Sequence, residues 1–195
     1  MLSYSESLKI LKETEALLEG HFILSSGLHS NRYVQCAKLL SHPKKAEIIC
    51  VSLVEKIKSN FGKIDIVLSP AIGGIVVGYV IGKDLDAQTI FAERVEDKLS
   101  LRRGFSISKG SKVLVIEDVI TTGKSALECS KIVIKNEARL IGYACIINRS
   151  NNKLLIKDKI ISQIKIEMPV FNENDLPNVL KKIPAIKPGS RNLAK

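Results

Sequence analysis

Tryptophan is absent from this 195-residue chain and aromatic residues make up only 5% of it, so its core has to be built from aliphatic side chains. A long apolar run is missing too. The longest, residues 72–82, is broken by glycines and falls short of the ~18 to 20 residues that a bilayer span needs, so no transmembrane helix is expected. The N-terminus shows no basic start followed by an apolar stretch and a small-residue cleavage site, which predicts a cytoplasmic location. Cys36, Cys50, Cys129 and Cys145 form no C-x-x-C pair and sit mostly among aliphatic neighbours, as small buried thiols do. His21, His29 and His42 show no metal-ligand spacing near acids or cysteines, so no protein-built metal site is expected.

Positive charge, by contrast, is abundant. The formal net charge of +10 calls for a nucleic acid, a polyanionic small molecule or simple solvation. Lysines such as Lys44, Lys45, Lys56, Lys58, Lys131 and Lys135 are scattered over helix faces, and Arg102–Arg103 is the one tight basic pair in a loop. Most of the excess therefore reads as solvated surface that would steer a phosphorylated substrate inward, with no nucleic acid or membrane as partner.

The hydrophobic pattern divides the chain. Leu8, Leu11, Leu17 and Leu18 recur at helical spacing over 5–18, with Gly20 as a stop. A second helix is expected over 43–60, opened by Pro43, with Ala46, Ile49, Cys50, Leu53, Val54 and Ile57 on one face. Short β-rich runs follow at 64–68, 88–91, 113–116 and 140–147, with helix-length segments at 74–83 and 125–136 between them. This alternation predicts an α/β fold with a mostly parallel central sheet flanked by helices, in a single domain over 1–195. Residues 159–167 read as a further strand, 175–182 as a short helix and 184–191 as irregular structure.

In an open α/β sheet the ligand sits beyond the carboxyl ends of the strands. One strand end stands out: Glu117-Asp118-Val119-Ile120-Thr121-Thr122-Gly123-Lys124-Ser125, two acids and then a hydroxyl-rich loop opening a helix. Glycine admits a close ligand, the hydroxyls donate hydrogen bonds, and the free N–H groups of a helix start bind phosphate. Two acids beside a phosphate make sense if they address ribose hydroxyls, or positive charge developing at the sugar C1. Taken as fragments, Glu-Asp can equally be a helix cap and Thr-Thr-Gly a turn. The run is neither a Walker loop nor a Rossmann fingerprint.

This run resembles the diphosphoribosyl-binding signature of the type I phosphoribosyltransferases. Further segments resemble the orotate-using branch of that family: His21-Phe-Ile-Leu-Ser-Ser-Gly-Leu-His-Ser its hood, Phe91 to Gly104 its mobile catalytic loop, and Pro184 to Arg191 the C-terminus common in one subgroup. The resemblance implies the type I fold, with a small hood from about residues 1–40 and the C-terminal tail. It also implies transfer of a phosphoribosyl group from 5-phosphoribosyl 1-diphosphate (PRPP) to orotate, with release of pyrophosphate, on the route to UMP. It assigns Glu117 to Ser125 to PRPP, Arg94 and Lys98 to the departing diphosphate, Arg149 and Thr121 to orotate, the 69–74 loop to diphosphate through its backbone, and Lys98, Glu117 and Asp118 to catalysis. Magnesium carried mainly by PRPP, and a homodimer, are further implications. The family's lysines at positions 25 and 73 and its histidine near position 100 are replaced by Ser25, Gly73 and Ser100, which leaves Arg102 and Arg103 without assigned roles. A purine-using phosphoribosyltransferase would not need Arg149, and a PRPP-sensing, nucleic-acid-binding regulator of the same fold would not need Arg94 and Lys98.

Overall fold

The computed structural model describes residues 1–24 and 26–188; Ser25 and the 189–191 end of the C-terminal resemblance lie outside it. The first helix, α1 (Tyr4–Glu13), is shorter than the 5–18 expected. It starts on a capping box, in which the Glu6 N–H donates to Ser3 Oγ and the Ser3 N–H to Glu6 Oε2. It stops because the Thr14 hydroxyl donates back to Ile10 O at 2.8 Å and Glu15 takes φ 55°, turning the chain. Leu17 and Leu18 therefore open a strand, β1 (Leu17–Ile23), which runs through Gly20 and pairs antiparallel with β2 (His29–Val34). Short α2 (Cys36–Leu40) leads into α3 (Pro43–Asn60), whose buried stripe contains every apolar position predicted for it.

The remainder forms the sheet and its cover. In order come β3 (Ile66–Pro70), α4 (Gly73–Leu85), β4 (Gln88–Val95), β5 (Lys98–Leu101), β6 (Lys112–Ile120), α5 (Lys124–Lys135), β7 (Arg139–Asn148) and β8 (Ile160–Lys165). Their order across the sheet is β5-β4-β3-β6-β7-β8, parallel throughout except for the β4–β5 hairpin. The strands alternate between two apolar layers. Val67, Leu114, Ile116 and Ala144 pack with α3 and α4, while Leu68, Ile90, Val113 and Val115 pack with α5.

A second sheet has the order β1-β2-β9, where β9 is Val170–Phe171, and Ile186 bridges to Phe22 at its edge. Its interior is partly polar. His21 Nε2 and His29 Nδ1 are 2.6 Å apart, His21 Nδ1 lies 2.9 Å from Ile183 O, and Ser30 Oγ donates to Pro169 O. The short helix expected over 175–182 is divided into a 3₁₀ turn (Glu173–Asp175) and α6 (Asn178–Lys181), because Leu176, preceding Pro177, is extended.

Candidate active site

The loop expected to begin at Glu117 begins at Thr121. β6 runs to Ile120, so Glu117, Asp118, Val119 and Ile120 are strand residues, and the Ile120 side chain is 1% exposed in the core. The Ile120 carbonyl is what faces the site, accepting from the Arg149 N–H at 2.9 Å. This also corrects the expectation that the two acids lie outside the core. Being consecutive on a strand, they project to opposite faces.

Glu117 follows Val113 and Val115 onto the α5 face, where its charge reaches Cys129. Its Oε1 is buried with no hydrogen-bond partner. Burial, and after it the adjacent Asp118 charge, push the Glu117 carboxyl up to about 7, against the pull of the Ala126 amide. Asp118 lies on the α4 face, so close to Gly73 that a Cβ there would sit 2.9 Å from both carboxylate oxygens. Burial raises its pKa, opposed by the backbone amides of Val119 and Asp118 and by Arg149. The Cys36 thiol donates to Asp118 O at 3.8 Å. Ala37, Leu40, Ser41, Ile72, Gly73, Val76 and Asp118 line an open cleft of about 240 Å³.

Beyond β6 the chain makes an anion cradle. Gly123 has φ 74° and a position where a Cβ would lie 2.6 Å from Ile156 Cδ1, so both its backbone and its packing call for glycine. Thr122 O accepts from the Leu155 N–H, tying the loop to the segment after β7. No side chain caps α5, and the Lys124 N–H meets only Thr122 Oγ1, at a long 3.4 Å. The positive end of a twelve-residue helix is thus open to an anion, with Thr122 and Lys124 exposed and Ser125 part-exposed beside it.

Arg149 extends from the end of β7. Its Nε donates to Thr121 Oγ1 at 2.7 Å and its NH1 approaches Met168 Sδ at 3.9 Å. Burial pushes the guanidinium pKa down, and Tyr33, Cys36 and Asp118 act in the other direction. The two residues assigned to orotate thus meet directly, with Asp118 close enough to act on Arg149.

The segment expected as a mobile loop is the β4–β5 hairpin, turning at Glu96 and Asp97, both at positive φ. Arg94 sits near its tip, its NH1 donating to Asp97 O at 2.5 Å and its NH2 3.1 Å from Glu128 Oε2 on α5. Lys98 is exposed and has no ion pair among the described residues. Arg103 is committed elsewhere: it makes a two-pronged pair with Glu93 at 2.9 and 3.0 Å and lies over the Phe91 ring. Arg102 is exposed. The sequence reading passed over Glu128 and Cys36. An acid on an amphipathic helix reads as solvated surface, and nothing local marks it as turned inward.

A parallel sheet ending in an anion cradle, an acid on each face of the central strand and a basic hairpin define a sugar-phosphate transferase site. The chain belongs to the phosphoribosyltransferase family: the family model for the phosphoribosyl transferase domain matches residues 37–179. Among individual relatives, it is 42% identical to the orotate phosphoribosyltransferase of Parvibaculum lavamentivorans over 95% of this chain and 98% of that one. Its fold resembles the crystal structure of orotate phosphoribosyltransferase from Aeropyrum pernix, with TM-score 0.69 at 20% identity, covering 81% of this chain and 92% of that one. It also resembles adenine phosphoribosyltransferase from Thermoanaerobacter pseudethanolicus, with TM-score 0.58 at 17% identity, covering 69% of this chain and 88% of that one. Since enzymes for two different bases share the fold, the base has to be argued from the site.

Proposed function

We propose that this chain transfers the 5-phosphoribosyl group of PRPP to orotate, giving orotidine 5′-phosphate and pyrophosphate, a step of pyrimidine biosynthesis. The observation that carries the choice of base is Arg149, held at 2.7 Å by Thr121 at the mouth of the site. A partly buried guanidinium with a planar fork of donors suits a carboxylate, which orotate has and adenine and hypoxanthine lack. The 42% identical relative agrees with that choice.

In this reading the α5 start with Thr121, Thr122, Gly123, Lys124 and Ser125 holds the 5-phosphate, and the ends of β6 hold the ribose. A ring nitrogen of orotate attacks C1, the C–N bond forms, and the C1–O bond breaks with its electron pair leaving on pyrophosphate. Asp118 favours the positive charge growing at C1, and Glu117, poised near neutrality, exchanges hydrogen bonds with ribose hydroxyls. Arg94 and Lys98 stabilise the negative charge growing on the diphosphate, where binding energy accelerates the step.

Magnesium fits this donor set. Asp118 is a hard oxygen donor at the start of α4, suited to a cation that enters on a diphosphate, and such a cation supplies charge neutralisation to the leaving group. We place the protein in the cytoplasm. Its four thiols are unpaired and buried, and no helix among the described residues is long and apolar enough to cross a membrane. A homodimer is supported by the apolar side chains Ile48, Val51, Ile72, Val76 and Tyr79 exposed on and beside the adjoining α3 and α4.

The test is a magnesium-dependent assay with PRPP and, in parallel, orotate, adenine, hypoxanthine and uracil. Consumption of orotate alone is expected. Turnover of a purine instead would leave the cradle standing and remove the role given to Arg149. Tight binding of PRPP without turnover would indicate a regulator.

A further inference from the structure

Arg94 lies between two partners on different elements, and the second, Glu128, is an unusual one. Its side chain is only 20% exposed, and its Oε2, although 3.1 Å from the Arg94 guanidinium, is buried without a well-directed hydrogen bond. Removing a carboxylate from water costs several kcal/mol, which a single misaligned cation repays poorly. A mere tether between hairpin and helix would not require it. Glu128 sits about one turn in from Lys124 on α5, the helix whose start forms the anion cradle, so it ties the hairpin cation to the same rigid body.

A competitor lies close by. Glu117, Glu128 and Arg94 all act on the buried Cys129 thiol and therefore surround one point beneath the cradle. Glu117 Oε1 is likewise buried and unpartnered. Without Glu128, the Arg94 guanidinium would have the Glu117 carboxylate as a ready alternative.

We infer that Glu128 is a positioning residue, which holds the Arg94 guanidinium beside the cradle, aimed at the substrate diphosphate and away from Glu117. The inference rests on the function proposed above. Of the five guanidinium donors two are occupied, by Asp97 O and Glu128, which leaves the others for an incoming anion.

The experiment is calorimetric titration of PRPP with magnesium into the wild type, Glu128→Gln, Arg94→Gln and the double variant, alongside steady-state kinetics with orotate. Glu128→Gln is expected to raise Kd and KM for PRPP about tenfold, to change kcat less than about threefold, and to leave KM for orotate within about twofold. In the Arg94→Gln background the same substitution should add nothing, since the pair acts as one unit. Glu128→Asp, which keeps the charge but shortens its reach, should fall between. Wild-type affinity in Glu128→Gln, or an equal loss with and without Arg94, overturns the inference. Should Glu128→Gln fold poorly, the Glu128→Asp series with and without Arg94 decides by the same criterion. A wild type that does not bind PRPP overturns the proposed function instead.

Discussion

The six-stranded sheet and the three-stranded hood solve the problem of burial differently. In the sheet, strands such as Ile66–Pro70 are apolar on both faces, and each strand end delivers a side chain or backbone group to one edge. The hood gathers stretches far apart in the chain, 17–34, 170–171 and 183–186, around hydrogen-bonded imidazoles. Ile183 O can only accept, so His21 Nδ1 donates to it. A neutral His21 then accepts at Nε2 from His29 Nδ1, which fixes both tautomers. Chemistry placed on the sheet edge inherits the rigidity of the core, whereas the hood holds together through a few directional contacts.

If that contrast holds, the largest effects belong to the sheet edge. Glu117→Gln combined with Asp118→Asn should lower kcat by roughly 10² to 10⁴ while the circular dichroism spectrum stays native, because both lost carboxylates act on the transition state. Normal turnover in the folded double variant would remove the role assigned to the acids. Next comes Arg149→Ala, expected to weaken orotate binding by roughly 2 to 5 kcal/mol, read from saturation kinetics, while PRPP affinity is preserved. An unchanged KM for orotate would return the choice of base to the fold, which does not decide it.

The third effect concerns pH. The folded Glu117 carboxyl titrates at about 7 against an ordinary value near 4.5, so its stabilising contribution is complete below about 4.5 and is lost as pH rises through 7. Glu117→Gln should therefore be more stable than the wild type at pH 8, by roughly 2 to 3 kcal/mol in urea denaturation, with the difference vanishing near pH 4. Equal stability at both pH values would mean that the acid is well solvated. The smallest effect is assigned to the hood. His29→Ala strands a buried nitrogen of His21 and should cost roughly 1 to 3 kcal/mol. Amide exchange should show that loss over β1 and β2 and leave β6 and β7 protected; global unfolding would erase the distinction between the regions.

The same contrast explains what could be read in advance. α3, α4, α5 and the parallel strands are written in local periodicity, so each was found within a few residues. β1 was read as a continuation of α1 because Leu17 and Leu18 fit a helical stripe, and only pairing with β2, itself tied to β9, shows otherwise. The β4–β5 hairpin was missed because its turn is Glu96-Asp97, without the Asn-Gly or Asp-Gly pair that normally marks two positive-φ residues. In the site, the cradle and Arg149 were legible because they follow apolar strands. The opposed directions of Glu117 and Asp118 were not, since they depend on β6 continuing to Ile120.

The contact between Gly73 and Asp118 bears on how such a site can evolve. Any β-carbon at 73 would lie 2.9 Å from both Asp118 oxygens, so the lysine that the orotate-using branch often carries there cannot coexist with this carboxylate pose. Lineages with glycine and with lysine at 73 are thus separated by a sequence of changes rather than by one. Asp118 has to turn aside before position 73 is free to vary, and history at these two sites has a required order.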